Sequence, residues 1–150
     1  MLLRAWGLMG LLSAAPSMGL FFLMLTRGGW TPGAATGSGT PLHGPYLQAT
    51  TATFAAIVAC QIGTAFAART QHSSLRAIGL WNNPLLLAGI AFELVFAAAV
   101  IYLPPLQSVF GTAALPGWVL TLLVPMPVLV WGWTRSTVAR AATPAAAFDL

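Results

Sequence analysis

Lysine is absent, and only two acidic residues, Glu93 and Asp149, occur in 150. Charged residues make up 5% of the chain against about 25% in soluble domains, too few to clothe a globular surface in water. The six arginines give a formal net charge of +4, but they are scattered and form no patch that would grip nucleic acid. The one cysteine, Cys60, excludes an internal disulfide. His43 and His72 have no Cys, Asp or Glu beside them in sequence, so both read as solvated loop histidines and no metal site is expected. Asp149 is one position from the C-terminus, which leaves Glu93 as the only carboxylate fixed for chemistry.

What is present is hydrocarbon. The chain is 58% hydrophobic, with a mean hydropathy of +0.84, and reads as an all-α integral membrane bundle of four transmembrane helices. A span needs ~20 apolar residues at ~1.5 Å rise each. The first covers about 5–26, between Arg4 and Arg27, with Pro16 expected to kink it. A signal peptide with small residues at Ser13-Ala14-Ala15 is the rival reading, but the apolar character continues through Leu25. Residues 28–46 are rich in Gly, Pro, Ser and Thr and read as a loop, with Trp30 and Tyr46 at the interface. The second span, about 47–68, is built of small residues suited to close packing in lipid.

The third span, about 84–103, follows a short polar loop (69–82) and ends at Pro104-Pro105; Gln107 to Pro116 reads as a further loop. The fourth, about 117–134, is interrupted by Pro125 and Pro127, with Trp118, Trp131 and Trp133 as interface anchors. The four-helix domain thus covers 1–140 and residues 141–150 read as a disordered tail. Arg4, Arg69, Arg76, Arg135 and Arg140 fall on one side and Arg27 on the other, so the positive-inside rule expects both termini in the cytoplasm.

Glu93 sits near the middle of its span, where a carboxylate is costly and should face protein, water or an ion. It lies roughly 13 Å above the cytoplasmic boundary, and Gln61 on the second span roughly 10 Å above the same boundary. Thr64 is three residues from Gln61 and on nearly the same face. If the two spans face each other, Gln61, Thr64 and Glu93 form one polar layer of carboxylate, amide and hydroxyl, the oxygen donors that suit hard cations. Alone they are too few for a closed site. Gln61 and Thr64 read equally well as interhelical hydrogen-bond glue.

Three stretches give a family resemblance: ACQ at Ala59–Gln61 with ART at Ala68–Thr70, the NP opening at Asn83-Pro84, and IYLPPLQSVFG at Ile101–Gly111. In this order and spacing, the chain resembles the last four membrane helices of cation-transporting P-type ATPases of the calcium-pump and sodium/potassium-pump branch. The likeness is weakest over 1–45 and the tail. It implies helices seven to ten of a transport domain, with Gln61 at an ion-site position that is acidic in calcium pumps and Gln in sodium/potassium pumps. Thr64 stands where the sodium/potassium branch has an acid. Glu93 matches a ninth-helix glutamate of that branch, where calcium pumps have a small polar residue. Gly132 and Trp133 stand where the family usually has an acidic pair.

The resemblance implies a transported cation (calcium, sodium, potassium or proton), a plasma-membrane location, and as partners the lipid bilayer and the remaining helices and cytoplasmic domains of a pump. This chain has no Asp-Lys-Thr-Gly-Thr motif and no phosphate loop, so no catalytic residues are expected and no ATP hydrolysis by it alone. The expected role is a transport-domain segment that scaffolds the ion pathway and contributes Gln61, Thr64 and Glu93. The alternatives are a self-standing small membrane protein, channel-like or a regulatory subunit, with Glu93 lining a pore, and a purely structural bundle with Glu93 protonated between helices.

Overall fold

The computed structural model describes residues 2–69 and 83–141. The expectations for the loop with His72 and Arg76 and for the tail with Asp149 lie outside the described residues, as do the side chains of Arg4, Arg69, Arg135 and Arg140. Among the described residues six helices follow in order: α1 (Leu2–Arg27), α2 (His43–Arg69), α3 (Pro84–Tyr102), α4 (Pro104–Phe110), α5 (Gly117–Leu123) and α6 (Met126–Ala141). Among the described residues there is no strand. Within the described residues four segments are long and apolar enough to cross a membrane: Gly10–Arg27, His43–Ala68, Pro84–Tyr102 and Gly117–Thr134. The expected all-α architecture of four spans is therefore the observed one.

The core is built around α2. Ala49, Ala52, Ala56 and Cys60 are buried with Leu20, Met24 and Leu25 of α1, and with Val119, Met126 and Val130 of the last span. Small side chains on α2 let the larger ones opposite lie against its backbone, the packing that replaces hydrophobic drive inside lipid. The last span comes very close to α2 at Gly63. A Cβ there would lie 2.6 Å from the Pro127 carbonyl oxygen and 2.9 Å from Val130 Cβ, so only glycine fits.

Prolines shape the elements in three ways. α1 runs unbroken through Pro16, and Ser17 Oγ donates to the Ser13 carbonyl at 2.8 Å beside the lost bond. In the last span Pro125 and Pro127 both lack an N–H, and the helix parts between α5 and α6 at Val124-Pro125. Elsewhere proline begins helices. Pro84 opens α3 behind Asn83, whose side chain accepts from Leu86 N at 3.1 Å.

Three sequence expectations are corrected here. The second span starts at His43, not near Leu47, because Pro45 fits the first turn of a helix. His43 is half-buried, with Nδ1 3.3 Å from the Thr36 carbonyl oxygen, so it is neither in the loop nor fully solvated. Residues read as a loop from Gln107 instead begin in α4, which Pro104 and Pro105 open and Gly111 closes in the left-handed region at φ 63°.

At one end of the bundle, called upper here, the 111–116 turn is bound down by side chains. Thr51 Oγ1 accepts from Ala113 N at 2.9 Å, and Gln48 Nε2 donates to the Ala114 carbonyl at 3.2 Å. Thr112 Oγ1 donates to the Val100 carbonyl, and Gln107 Nε2 to the Ile101 carbonyl, both at 2.6 Å. Arg27 lies 4.6 Å above the Trp118 ring, joining the end of α1 to the start of α5.

Candidate functional site

The seam between α2 and α3 positions the expected polar residues. Its buried members are Val58, Ile62 and Ala97, with Phe54, Phe66 and Ile90 packed against them. On α2 the spacing 54, 58, 62, 66 is a single helical stripe, and this stripe rather than the polar pair meets α3. At 3.6 residues per turn, Gln61 lies roughly 80° round the helix from that stripe and Thr64 roughly 140°. Both are exposed, on a strip shared with Ile57 and Ala68. Glu93 lies roughly 50° from the line of Ile90 and Ala97 on α3 and is half-buried.

The antiparallel pairing puts these offsets on one flank of the seam. The grooves identify the flanks independently. Thr50 and Phe54 of α2 line one groove with Phe96 and Val100 of α3, and all four lie on the same rotational side as Gln61 and Glu93. Ala55 and Ala59 line a cavity with Leu94 and Ala98 on the opposite flank. Gln61 and Glu93 therefore border one open flank without facing each other across the seam. Thr64 points further out and away from α3.

No hydrogen bond or ion pair satisfies Gln61 or Glu93 within the described residues. Thr64 Oγ1 donates to the Cys60 carbonyl at 3.0 Å, a bond local to its own helix. The polar flank has an aromatic edge that sequence reading did not single out. Phe92 and Phe96 stack at 6.1 Å, and Phe110 meets Phe96 edge-on at 6.5 Å. The i, i+4 spacing of Phe92 and Phe96 was the available signal, but Phe110 joins only through the α4 turn. Among the described residues, no group of three His, Cys, Asp or Glu side chains could hold a metal.

Residues 1–138 match the family described as Cation transporting ATPase, C-terminus. The chain belongs to that family. Relatives carry calcium in their names. The calcium-transporting ATPase type 2C member 2 of Mus musculus is 34% identical over 94 residues, 63% of this chain and 9% of the relative. Calcium-transporting ATPase 4, endoplasmic reticulum-type, of Arabidopsis thaliana is 30% identical over 86 residues, covering 56% and 8%. Calcium-transporting ATPase 1 of Yarrowia lipolytica is 37% identical over 82 residues, covering 55% and 9%. The chain thus spans less than a tenth of the length of these relatives. No solved structure matches it. As a member of the cation-transporting ATPase C-terminal family with four spanning helices, the chain is a multi-pass membrane protein and a transport-domain segment.

Proposed function

We propose that this chain is the closing part of the transport domain of an ATP-driven cation pump, with the remaining helices of that pump seated on the Gln61–Glu93 flank. The supporting observation is the unspent polarity of that flank. Among the described residues the Gln61 amide and the Glu93 carboxylate have no hydrogen-bond or ion-pair partner, and the Thr64 hydroxyl bonds only within its own helix; at bilayer depth, lipid contact by such groups costs several kcal/mol. Gln61 and Glu93 on one open flank, with Thr64 further out on α2, supply an incomplete set of oxygen donors, to be completed from helices outside this chain. The scaffold is α1, α2 and the α5–α6 span, with α2 held close against α6 at Gly63.

Calcium is the cation to test first. The donors are hard oxygens, and the relatives are calcium-transporting ATPases by name. Both termini are assigned to the cytoplasm and the protein to the plasma membrane. The test is purification of the tagged chain from its own membranes in mild detergent, followed by reconstitution and an assay of cation uptake. The reading expects the Asp-Lys-Thr-Gly-Thr motif to co-purify, joined to this chain or beside it, with ATP-dependent uptake of calcium. Passive cation leak through the purified chain with no such motif present would overturn it and favour the channel-like alternative.

A further inference from the structure

The flank of the α2–α3 seam opposite Gln61 and Glu93 holds a cavity of about 270 Å³. Its walls are Ala59 and Ile62 of α2, Leu94 and Ala98 of α3, and Leu120 and Pro127 on either side of the break in the last span. Alanines on both α2 and α3 keep the walls apart where larger side chains would have met. The lining is almost wholly apolar, so water gains too few hydrogen bonds to occupy it.

We propose that this cavity holds one acyl chain of a phospholipid from the leaflet at the upper end of the bundle. Depth is the first argument. From Leu94 to Tyr102 the cavity follows α3 for roughly 12 Å, close to half the ~30 Å hydrocarbon core and so to one leaflet. Tyr102 marks its upper mouth, where the hydroxyl donates to the Leu115 carbonyl at 3.4 Å, as tyrosine does at a membrane interface. Access is the second argument. Leu94 and Leu120 on its walls are 52% and 42% exposed, so the cavity opens sideways, towards the hydrocarbon around the bundle rather than towards water. A single hydrocarbon chain can enter from that side. This assignment stands whether or not the chain serves a pump, because it uses only the α2, α3 and α5–α6 walls.

The full-length chain, reconstituted in phosphatidylcholine vesicles, is irradiated with a tracer phosphatidylcholine carrying a diazirine midway along one acyl chain. Adducts are mapped by mass spectrometry. Leu94, Ala98 and Leu120 should carry several-fold more label than Val95 and Leu129, which are 69% and 65% exposed on the outside of the bundle at similar depth. Ala98→Leu should lower cavity labelling to the level of those two references while leaving the references unchanged, which also reports intact insertion. Ala59→Leu, filling from the other wall, should do the same. Labelling that merely follows exposure in the unaltered chain overturns the site regardless of how the variants fold. Equal cavity labelling by a diazirine fatty acid at the same membrane concentration overturns the phospholipid as its source.

Discussion

Thr51 and Ala113 are joined across 62 residues of sequence by a 2.9 Å hydrogen bond from the Ala113 N–H to the Thr51 hydroxyl oxygen. The same hydroxyl donates to the Leu47 carbonyl at 2.6 Å, and Thr51 is 1% exposed. One side chain thus satisfies a turn and a helix together. Replacing it with the isosteric Thr51→Val leaves the Ala113 N–H without its acceptor, at a cost of about 1–3 kcal/mol. Unfolding in detergent should show the loss, and a cysteine placed at Thr112 should react faster. An unchanged unfolding midpoint would remove Thr51 from the upper fastening.

Gly63 should tolerate nothing larger. Gly63→Ala sets a methyl against the Pro127 backbone and should destabilise the bundle by about 1–3 kcal/mol, the usual toll of overpacking. Gly89→Ala has nothing within 4 Å of its new methyl and should stabilise α3 by up to about 1 kcal/mol through helix propensity. The pair is compared by unfolding midpoint, and equal shifts would contradict the close α2–α6 contact.

In the complete transporter, Glu93→Gln should weaken cation affinity roughly tenfold, equivalent to about 1.4 kcal/mol. Gln61→Leu should act in the same direction, since both border one flank. Asp149→Asn serves as the control and should change little. Uptake measured against cation concentration separates affinity from maximal rate. If Glu93→Gln and Asp149→Asn have equal, negligible effects, the carboxylate is not on the pathway.

Orientation can be read by labelling in a Cys60→Ser background. Ser38→Cys, exposed in the segment between α1 and α2, should react with an impermeant maleimide added outside intact cells. Ser136→Cys, exposed on α6, should react only after permeabilisation. The opposite pattern inverts the positive-inside assignment.

The four spans were legible because runs of ~20 apolar residues have few other uses. Proline was read too simply. Pro104-Pro105 ends α3 but also opens α4, since a residue that cannot continue one helix is well suited to start the next. The heights of Gln61 and Glu93 along their own helices could be counted from sequence, because rise per residue is fixed. Facing could not. The rotation of α2 is set by which of its stripes the neighbours choose: Ala52, Ala56 and Gly63 take α1 and the last span, and Val58 and Ile62 take α3. Gln61 and Thr64 are what remains, and no periodicity within one helix reveals that remainder.

The hydrogen bonds at the upper end have a mechanical corollary. Thr112, Gln107 and Tyr102 tether the last turn of α3, whereas among the described residues no side-chain hydrogen bond links its lower half to another helix. A rod pinned at its top swings widest at its foot. Glu93 hangs nine residues, or roughly 13 Å, beneath the pin, so a tilt of about 10° sweeps it sideways by roughly 2 Å on that lever arm. Displacement of that order separates a bonded oxygen donor from a released one.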